Sequence, residues 1–187
     1  MVKLLVESGA DVLLMLGFWH WAYDNNTTPY TEEGIQAFAN YAAHLAKEFK
    51  GKVKYFEVWN EPDLQGAFFN GTRDEYFRLY EVTARAIKAV DGQIPVGGPS
   101  TSGSKWVKSF LKYCDEHNVP VDFVTTHQYS GDPLGGVEDQ GDPLSDAEGS
   151  AAFDPEAFFG SMGERLKTAK GTRMLDGLRA MMGDQSE

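Results

Sequence analysis

Short apolar runs alternate with amphipathic segments along this chain, and the alternation limits the possible folds more than any other feature. The apolar runs at residues 12–18, 53–59, 94–98 and 121–126 are predicted to be buried strands. Helical periodicity fills the intervals between them. Strands that are separated by helices run in the same direction, so the sequence predicts a parallel sheet covered by helices.

Capping signals delimit the predicted helices. Residues 31–50 form an amphipathic segment that Gly51 ends. Thr72 and Glu75 are spaced as a capping box at the start of the next helix, and Ser104 is predicted to cap the one after it. Two more helices are predicted near the carboxyl terminus, at residues 155–167 and 173–182.

Two α/β architectures fit this order of elements, an open doubly wound sheet and a (β/α)8 barrel. No glycine-rich phosphate-binding pattern follows any predicted strand, which removes the main sign of a nucleotide-binding doubly wound fold. Polar and aromatic residues instead follow the predicted strands, as expected at the barrel rim that carries active sites. They are Trp19-His20-Trp21, Asn60-Glu61-Pro62, Ser100-Thr101-Ser102 and His127-Gln128-Tyr129.

Charge and composition exclude several classes of protein. The net charge of −11 argues against a nucleic-acid partner. No apolar run approaches the roughly 18 residues that a membrane helix needs. Cys114 is the single cysteine, so a disulfide scaffold and a cysteine-based zinc site are excluded. We expect no cofactor.

Much of the negative charge comes from residues 131–156, which contain no Lys or Arg. Glycine, proline and aspartate are frequent there, and the segment is predicted to be a long, solvated acidic loop. Its oxygen ligands would suit calcium, but the spacing lacks the aspartate-rich calcium-loop pattern. We therefore expect no metal site.

The strongest chemical signal is the stretch of residues 55–63, YFEVWNEPD, in which a buried strand ends in Asn60 and Glu61. A carboxyl group hemmed by aromatic rings at a barrel rim is poorly solvated as an anion, and this favours the protonated form that a general acid needs. Asn60 offers a donor and an acceptor for a sugar hydroxyl. The alternative is a strand-end glutamate with a structural partner.

Other rim residues could bind a polar ligand. His127 could hydrogen-bond hydroxyl groups and Tyr129 could offer a ring face or its phenol, and His20 occupies an equivalent strand end. A histidine at a strand end is more often structural, so both interpretations stay open. Trp19 and Trp59 fit either the core or a flat surface against which the apolar faces of sugars pack.

Residues 56–129 resemble family 39 of the clan A glycoside hydrolases, which includes β-xylosidases and α-L-iduronidases. The resemblance implies that Glu61 is the catalytic acid/base and that Asn60 binds the sugar beside the scissile bond. It also implies that His127 and Tyr129 line the sugar subsite, and that His20 occupies a strand end where clan members often carry a sugar-contacting histidine. The motifs that carry it are FEVWNEPD at residues 56–63, YEVTARAIK at 80–88, VGGP at 96–99 and VPVDFVTTHQY at 119–129.

Compared with that family, the whole chain, residues 1–187, is predicted to be a fragment of a single catalytic domain. If Glu61 ends the fourth strand, the chain holds strands 3–6 of a partial TIM barrel and lacks strands 1–2 and 7–8. The family's nucleophile is a glutamate that ends the seventh strand. No glutamate after His127 ends an apolar run, and the candidates are Glu138, Glu148, Glu156, Glu164 and Glu187. We therefore expect the isolated chain to be inactive.

The function expected by resemblance is retaining hydrolysis of O-glycosidic bonds in an oligosaccharide or polysaccharide, with β-xylosidase-like specificity. A glucan or a uronic-acid polymer is the alternative substrate, although no basic cluster favours an anionic sugar. The alternative function is that of a carbohydrate-binding pseudoenzyme without the nucleophile. The first residues carry no secretory signal, and any export signal would precede the missing strands, so the compartment stays open.

Overall fold

The computed structural model describes residues 1–17 and 28–130. All of these residues belong to the first of the two units into which the chain divides, Met1–Ala151. The predicted acidic loop at residues 131–156 and the helices predicted after it lie outside the described residues. In the part that the structure describes, no helix is long and apolar enough to cross a membrane.

The described strands form one parallel sheet in which each strand pairs with the next one along the chain. An open doubly wound sheet would reverse its strand order at a switch point, whereas a barrel adds strands in sequence. The structure is therefore part of a (β/α)8 barrel, as the sequence predicts. The strands are β1 (Leu13–Leu16), β2 (Tyr55–Val58), β3 (Val96–Ser102) and β4 (Phe123–His127).

The described helices are α1 (Val2–Glu7), α2 (Glu32–Glu48), α3 (Arg73–Val90) and α4 (Val107–Glu116). The predicted capping box of α3 is confirmed: the Thr72 hydroxyl accepts from the Glu75 amide, and the Glu75 carboxylate accepts from the Thr72 amide. The predicted Ser104 cap is wrong, because α4 begins after Trp106 without a side-chain cap. The amide of Ser104 instead donates to the Thr126 hydroxyl, 2.8 Å away.

Strand β3 differs from its sequence prediction, because it continues past Pro99 to Ser102. Proline cannot donate to a sheet ladder and is tolerated within a sheet mainly beside a bulge. The register between β3 and β4 shifts at this point: Pro99 pairs with Thr125 and Thr101 with Thr126, which leaves Ser100 unpaired. The bulge therefore extends β3 to the rim despite its proline.

A buried tyrosine ties two strand ends together from the helical side. Tyr76 of α3 is fully buried, and its hydroxyl lies 3.0 Å from the Val58 carbonyl and 3.2 Å from the Pro99 carbonyl. Desolvation raises the pKa of Tyr76 well above its ordinary value, so the phenol keeps its proton and remains a donor. This hydroxyl holds the carboxyl ends of β2 and β3 beside each other.

Replacing Tyr76 by phenylalanine removes that donor and leaves both buried carbonyls without it. We expect Tyr76→Phe to lower the free energy of unfolding by about 1–3 kcal/mol. Urea denaturation followed by circular dichroism measures the change. Tyr41→Phe is the matched control, because Tyr41 is 46% exposed on α2 and should tolerate the same change. Equal stability of the two variants would contradict the role assigned to the Tyr76 hydroxyl.

Candidate active site

The carboxyl ends of β2, β3 and β4 bring three polar side chains to one edge of the sheet. Glu61 follows β2, Ser100 lies in β3 and His127 ends β4. These residues are far apart in the sequence and meet because the three strands are parallel neighbours. Active sites of (β/α)8 barrels lie at this edge.

The chain turns sharply where β2 ends, and the turn presents Glu61 to the edge of the sheet. Trp59 and Glu61 both adopt left-handed backbone conformations, with φ of 73° and 46°. Such conformations are unfavourable for residues other than glycine and persist where the surroundings hold them. Hydrogen bonds from the Trp59 amide to the Leu16 carbonyl (2.6 Å) and from the Glu61 amide to the Ser100 carbonyl (2.9 Å) hold this turn.

The Glu61 carboxyl group is largely enclosed and has a histidine partner. Its side chain is 10% exposed, and Oε1 lies 2.8 Å from Nδ1 of His127. The other ring nitrogen of His127, Nε2, lies 3.2 Å from the Ser100 hydroxyl. The three side chains thus form one hydrogen-bonded row, in which the imidazole lies between the hydroxyl and the carboxyl group.

A second carboxyl group, that of Asp63, binds the backbone near the end of β3 at the same edge of the sheet. Its side chain is fully buried, and Oδ1 accepts a hydrogen bond of 2.9 Å from the Ser102 amide. Lys105 Nζ lies 3.4 Å from Oδ2, but the pair is not aligned as a hydrogen bond. Burial raises the pKa of Asp63, and the Ser102 amide and the Lys105 charge offset this only in part. Asp63 therefore links the turn after β2 to the end of β3.

Trp59 belongs to the aromatic core, which corrects its predicted place in a sugar-binding surface. Its side chain lies between Phe38 and Phe69, with ring centroids 5.5 and 5.7 Å away, and its indole N–H donates to the Phe68 carbonyl. The residue is only 1% exposed, so neither face of the indole is open to a ligand. The left-handed turn at Trp59 directs the side chain to the helical side of the sheet.

The other predicted sugar-contacting residues differ in their placement. Asn60 is half-buried directly before Glu61, and Tyr129 lies two residues beyond β4 with 61% of its surface exposed. Trp19 and His20 lie outside the described residues. Sequence reasoning assigned no role to Ser100 or Asp63, although Ser100 lies in a predicted rim segment and Asp63 ends the glutamate motif.

The fold and the edge geometry define a (β/α)8-barrel protein whose strand-end carboxyl group has an imidazole partner. Comparison with known proteins makes the class specific. Residues 31–138, more than half of the chain, match the profile described as "Glycosyl hydrolases family 39". The chain belongs to that family.

Sequence and structure comparisons with individual proteins support this membership. The chain is 44% identical over 147 residues to a "Beta-xylosidase" of Caldicellulosiruptor saccharolyticus, an alignment that covers 70% of this chain and 30% of the relative. It is 52% identical over 77 residues to a "Beta-xylosidase" of Geobacillus stearothermophilus, covering 40% of this chain and 15% of the relative. The crystal structure of a monomeric β-xylosidase from Caulobacter crescentus CB15 is also similar, with a TM-score of 0.55 and 32% identity.

The chain spans less than a third of the length of each of these relatives. The superposition on the Caulobacter structure covers 68% of this chain and 29% of that chain. The family profile, matched over residues 31–138, covers β2 to β4 and includes the edge with Glu61 and His127.

The raised pKa of Asp63 predicts how stability depends on pH. The folded chain holds this proton more tightly than the unfolded chain, whose carboxyl group titrates near 3.8. The stabilisation associated with the protonated form is complete below that value and is lost as the pH rises through the raised pKa. We expect the unfolding free energy of the wild type, minus that of Asp63→Asn, to fall over this range in urea denaturation.

Asp115→Asn is the matched control, because Asp115 is an exposed carboxyl group on α4. The unfolding free energy of the wild type minus that of Asp115→Asn should not show this fall with rising pH. If the Asp63→Asn difference were constant, or grew as the pH rose, the buried carboxyl group would not be held in its protonated form by the fold.

Proposed function

We propose that this chain carries the acid/base residue of a retaining glycoside hydrolase site with β-xylosidase-like specificity, and that Glu61 is the general acid and base. The observation that carries the proposal is the enclosed Glu61 carboxyl group at the carboxyl edge of the sheet, with one oxygen hydrogen-bonded to His127. A nearly enclosed carboxyl group with a fixed partner is suited to hold and release one proton.

In the first step, Glu61 protonates the glycosidic oxygen as the bond to the sugar breaks, which prevents the leaving group from departing as an alkoxide. In the second step, the same carboxylate takes a proton from the water that hydrolyses the glycosyl-enzyme intermediate. The intermediate requires a second carboxylate, about 5–5.5 Å from the first, to act as nucleophile. We assign this nucleophile to a barrel strand after β4, as family resemblance implies.

The sugar would lie against the same edge of the sheet. The proposal gives Asn60 the hydrogen bonds to the sugar ring beside the scissile bond, and His127 and Tyr129 the neighbouring part of the subsite. The exposed Tyr129 ring is accessible for such contact. Trp19 and His20 complete the proposed subsite. The substrate is thus an oligosaccharide or polysaccharide with β-linked xylose.

The β-xyloside specificity is supported by the two relatives of 44% and 52% identity, both of which are named β-xylosidases. The alternative of a carbohydrate-binding pseudoenzyme is less well supported, because a binding module has no need of an enclosed, histidine-bonded carboxyl group. A glucan or uronic-acid substrate has no specific support in the arrangement of the described residues.

A chimera tests the proposal directly. The segment of the Caldicellulosiruptor β-xylosidase that aligns with this chain is replaced by the residues of this chain, so that the relative provides the other strands. We expect the chimera to hydrolyse xylobiose and dinitrophenyl β-xyloside. Glu61→Gln should lower kcat/KM for xylobiose by about 10²–10⁴-fold, because the unactivated leaving group needs the proton. The dinitrophenyl substrate, which needs little protonation, should lose much less.

Glu116→Gln provides the matched control, since Glu116 ends α4 and has a 56% exposed side chain. It should leave kcat/KM unchanged for both substrates. Cooperative thermal unfolding verifies that each variant is folded. An equal loss on both substrates after Glu61→Gln would be evidence against an acid role. A folded chimera that binds xylobiose without hydrolysing it would favour the pseudoenzyme.

A further inference from the structure

The bulge in β3 places one extra residue, Ser100, beside His127 and the turn that carries Glu61. The pairing with β4 passes from Pro99 to Thr101, and Ser100 has a left-handed conformation with φ of 57°. A bulge of this kind redirects the side chain of the extra residue and is common at barrel rims. A non-glycine residue in this conformation costs free energy, so its surroundings must hold it there.

Ser100 contacts both other members of the hydrogen-bonded row. Its carbonyl accepts from the Glu61 amide at 2.9 Å, and its hydroxyl lies 3.2 Å from Nε2 of His127. The residue is fully buried. One bulged residue therefore fixes the backbone of the carboxyl-bearing turn and approaches the imidazole from the side opposite Glu61.

The donor requirement of the buried hydroxyl sets the tautomer of the histidine. A buried hydroxyl that does not donate its hydrogen pays a desolvation penalty. Within residues 1–17 and 28–130, the side-chain partner of the Ser100 hydroxyl is Nε2 of His127. When Ser100 donates to Nε2, that nitrogen has no hydrogen of its own, and in the neutral ring Nδ1 carries it. The Nδ1–H then donates to Oε1 of Glu61, 2.8 Å away.

This tautomer has a consequence for the proton of Glu61. When Oε1 accepts from His127, the carboxyl hydrogen is favoured on Oε2, because the unprotonated oxygen of a carboxyl group is the stronger acceptor. The opposite tautomer would offer a lone pair on Nδ1, which would draw the carboxyl hydrogen onto Oε1 and towards the imidazole. In that arrangement the hydrogen would point at the protein and away from a bound sugar.

We infer that Ser100 is a positioning residue that holds His127 in its Nδ1–H tautomer and thereby keeps the mobile proton of Glu61 on Oε2. The inference rests on the proposed acid/base role of Glu61 for its catalytic meaning. During glycoside cleavage the Oε2–H bond breaks and a new O–H bond forms on the leaving oxygen. During hydrolysis Oε2 regains a proton from water, and His127 keeps its own hydrogen in both steps.

The tautomer can be observed on the full chain without any substrate. Two-bond ¹H–¹⁵N correlation spectra distinguish a protonated Nδ1 from a protonated Nε2 in a neutral imidazole. The chain is labelled with ¹⁵N-histidine, and the spectra are recorded at alkaline pH. The signals of His127 are those that disappear in His127→Gln. We expect a single Nδ1–H form in the wild type.

Two substitutions then remove the hydroxyl. Ser100→Ala retains a Cβ atom in the left-handed conformation, whereas Ser100→Gly relieves that backbone cost. An ionised carboxylate only accepts and would by itself favour Nδ1–H, so both substitutions are compared in the Glu61→Gln background, whose neutral amide can donate or accept. Glu61→Gln alone should keep the single Nδ1–H form, whereas both double variants should shift His127 towards a mixture with the Nε2–H form, although their effects on stability differ. Ser102→Ala, two residues along the same strand, removes a hydroxyl outside the row and should retain the wild-type spectrum.

The spectra decide the inference without any measurement of hydrolysis. A wild-type His127 in the Nε2–H form would overturn it, and so would an unchanged tautomer when Ser100→Ala or Ser100→Gly is added to Glu61→Gln. If the tautomer responds as expected while the chimera fails to hydrolyse xylosides, the proposed function fails and the positioning by Ser100 stands. The two proposals therefore fail by different measurements.

Discussion

The parallel pairing of neighbouring strands is the constraint on which the rest of this structure depends. It places the carboxyl ends of β2, β3 and β4 at one edge, so that Glu61 and His127, 66 residues apart, approach to 2.8 Å. The pairing is reinforced from the helical side, where the buried Tyr76 hydroxyl reaches the carbonyls of Val58 and Pro99. A change of register in β2 or β4 would separate the Glu61 carboxyl group from the His127 imidazole.

The edge departs from regular backbone geometry at the positions where the polar row is assembled. Trp59, Glu61 and Ser100 all have positive φ angles. Each such residue costs roughly 1–3 kcal/mol, and the cost is offset by the packing of the aromatic core and the hydrogen bonds across strand ends. Local preference and tertiary structure often conflict at functional sites, because the chemistry needs side-chain directions that a regular strand does not offer.

The polar row makes the two oxygens of Glu61 inequivalent, because only Oε1 has the His127 partner. In the proposed mechanism Glu61 is the acid of a family 39 site, and the His127 contact leaves Oε2 as the oxygen for proton transfer. Asp63 is not part of the polar row, but its buried carboxyl group accepts a hydrogen bond from the Ser102 amide at the end of β3. The Glu61 carboxyl group, its imidazole partner and the bulged serine therefore depend on the same strand ends.

The alternation of apolar runs and amphipathic segments was enough to predict the parallel α/β order, and the Thr72 and Glu75 spacing predicted the α3 capping box, but β3 continues past its predicted end to Ser102. These features depend on periodicity and local hydrogen bonding, which a sequence carries directly. The position of Glu61 after a buried strand was also readable, because parallel strands direct such residues to one edge. Only the tertiary structure decided that Trp59 is core, because an aromatic residue at a strand end has the same local sequence in either place. The role of Ser100 was likewise undetermined, since a bulge depends on the pairing of two strands that are distant along the chain.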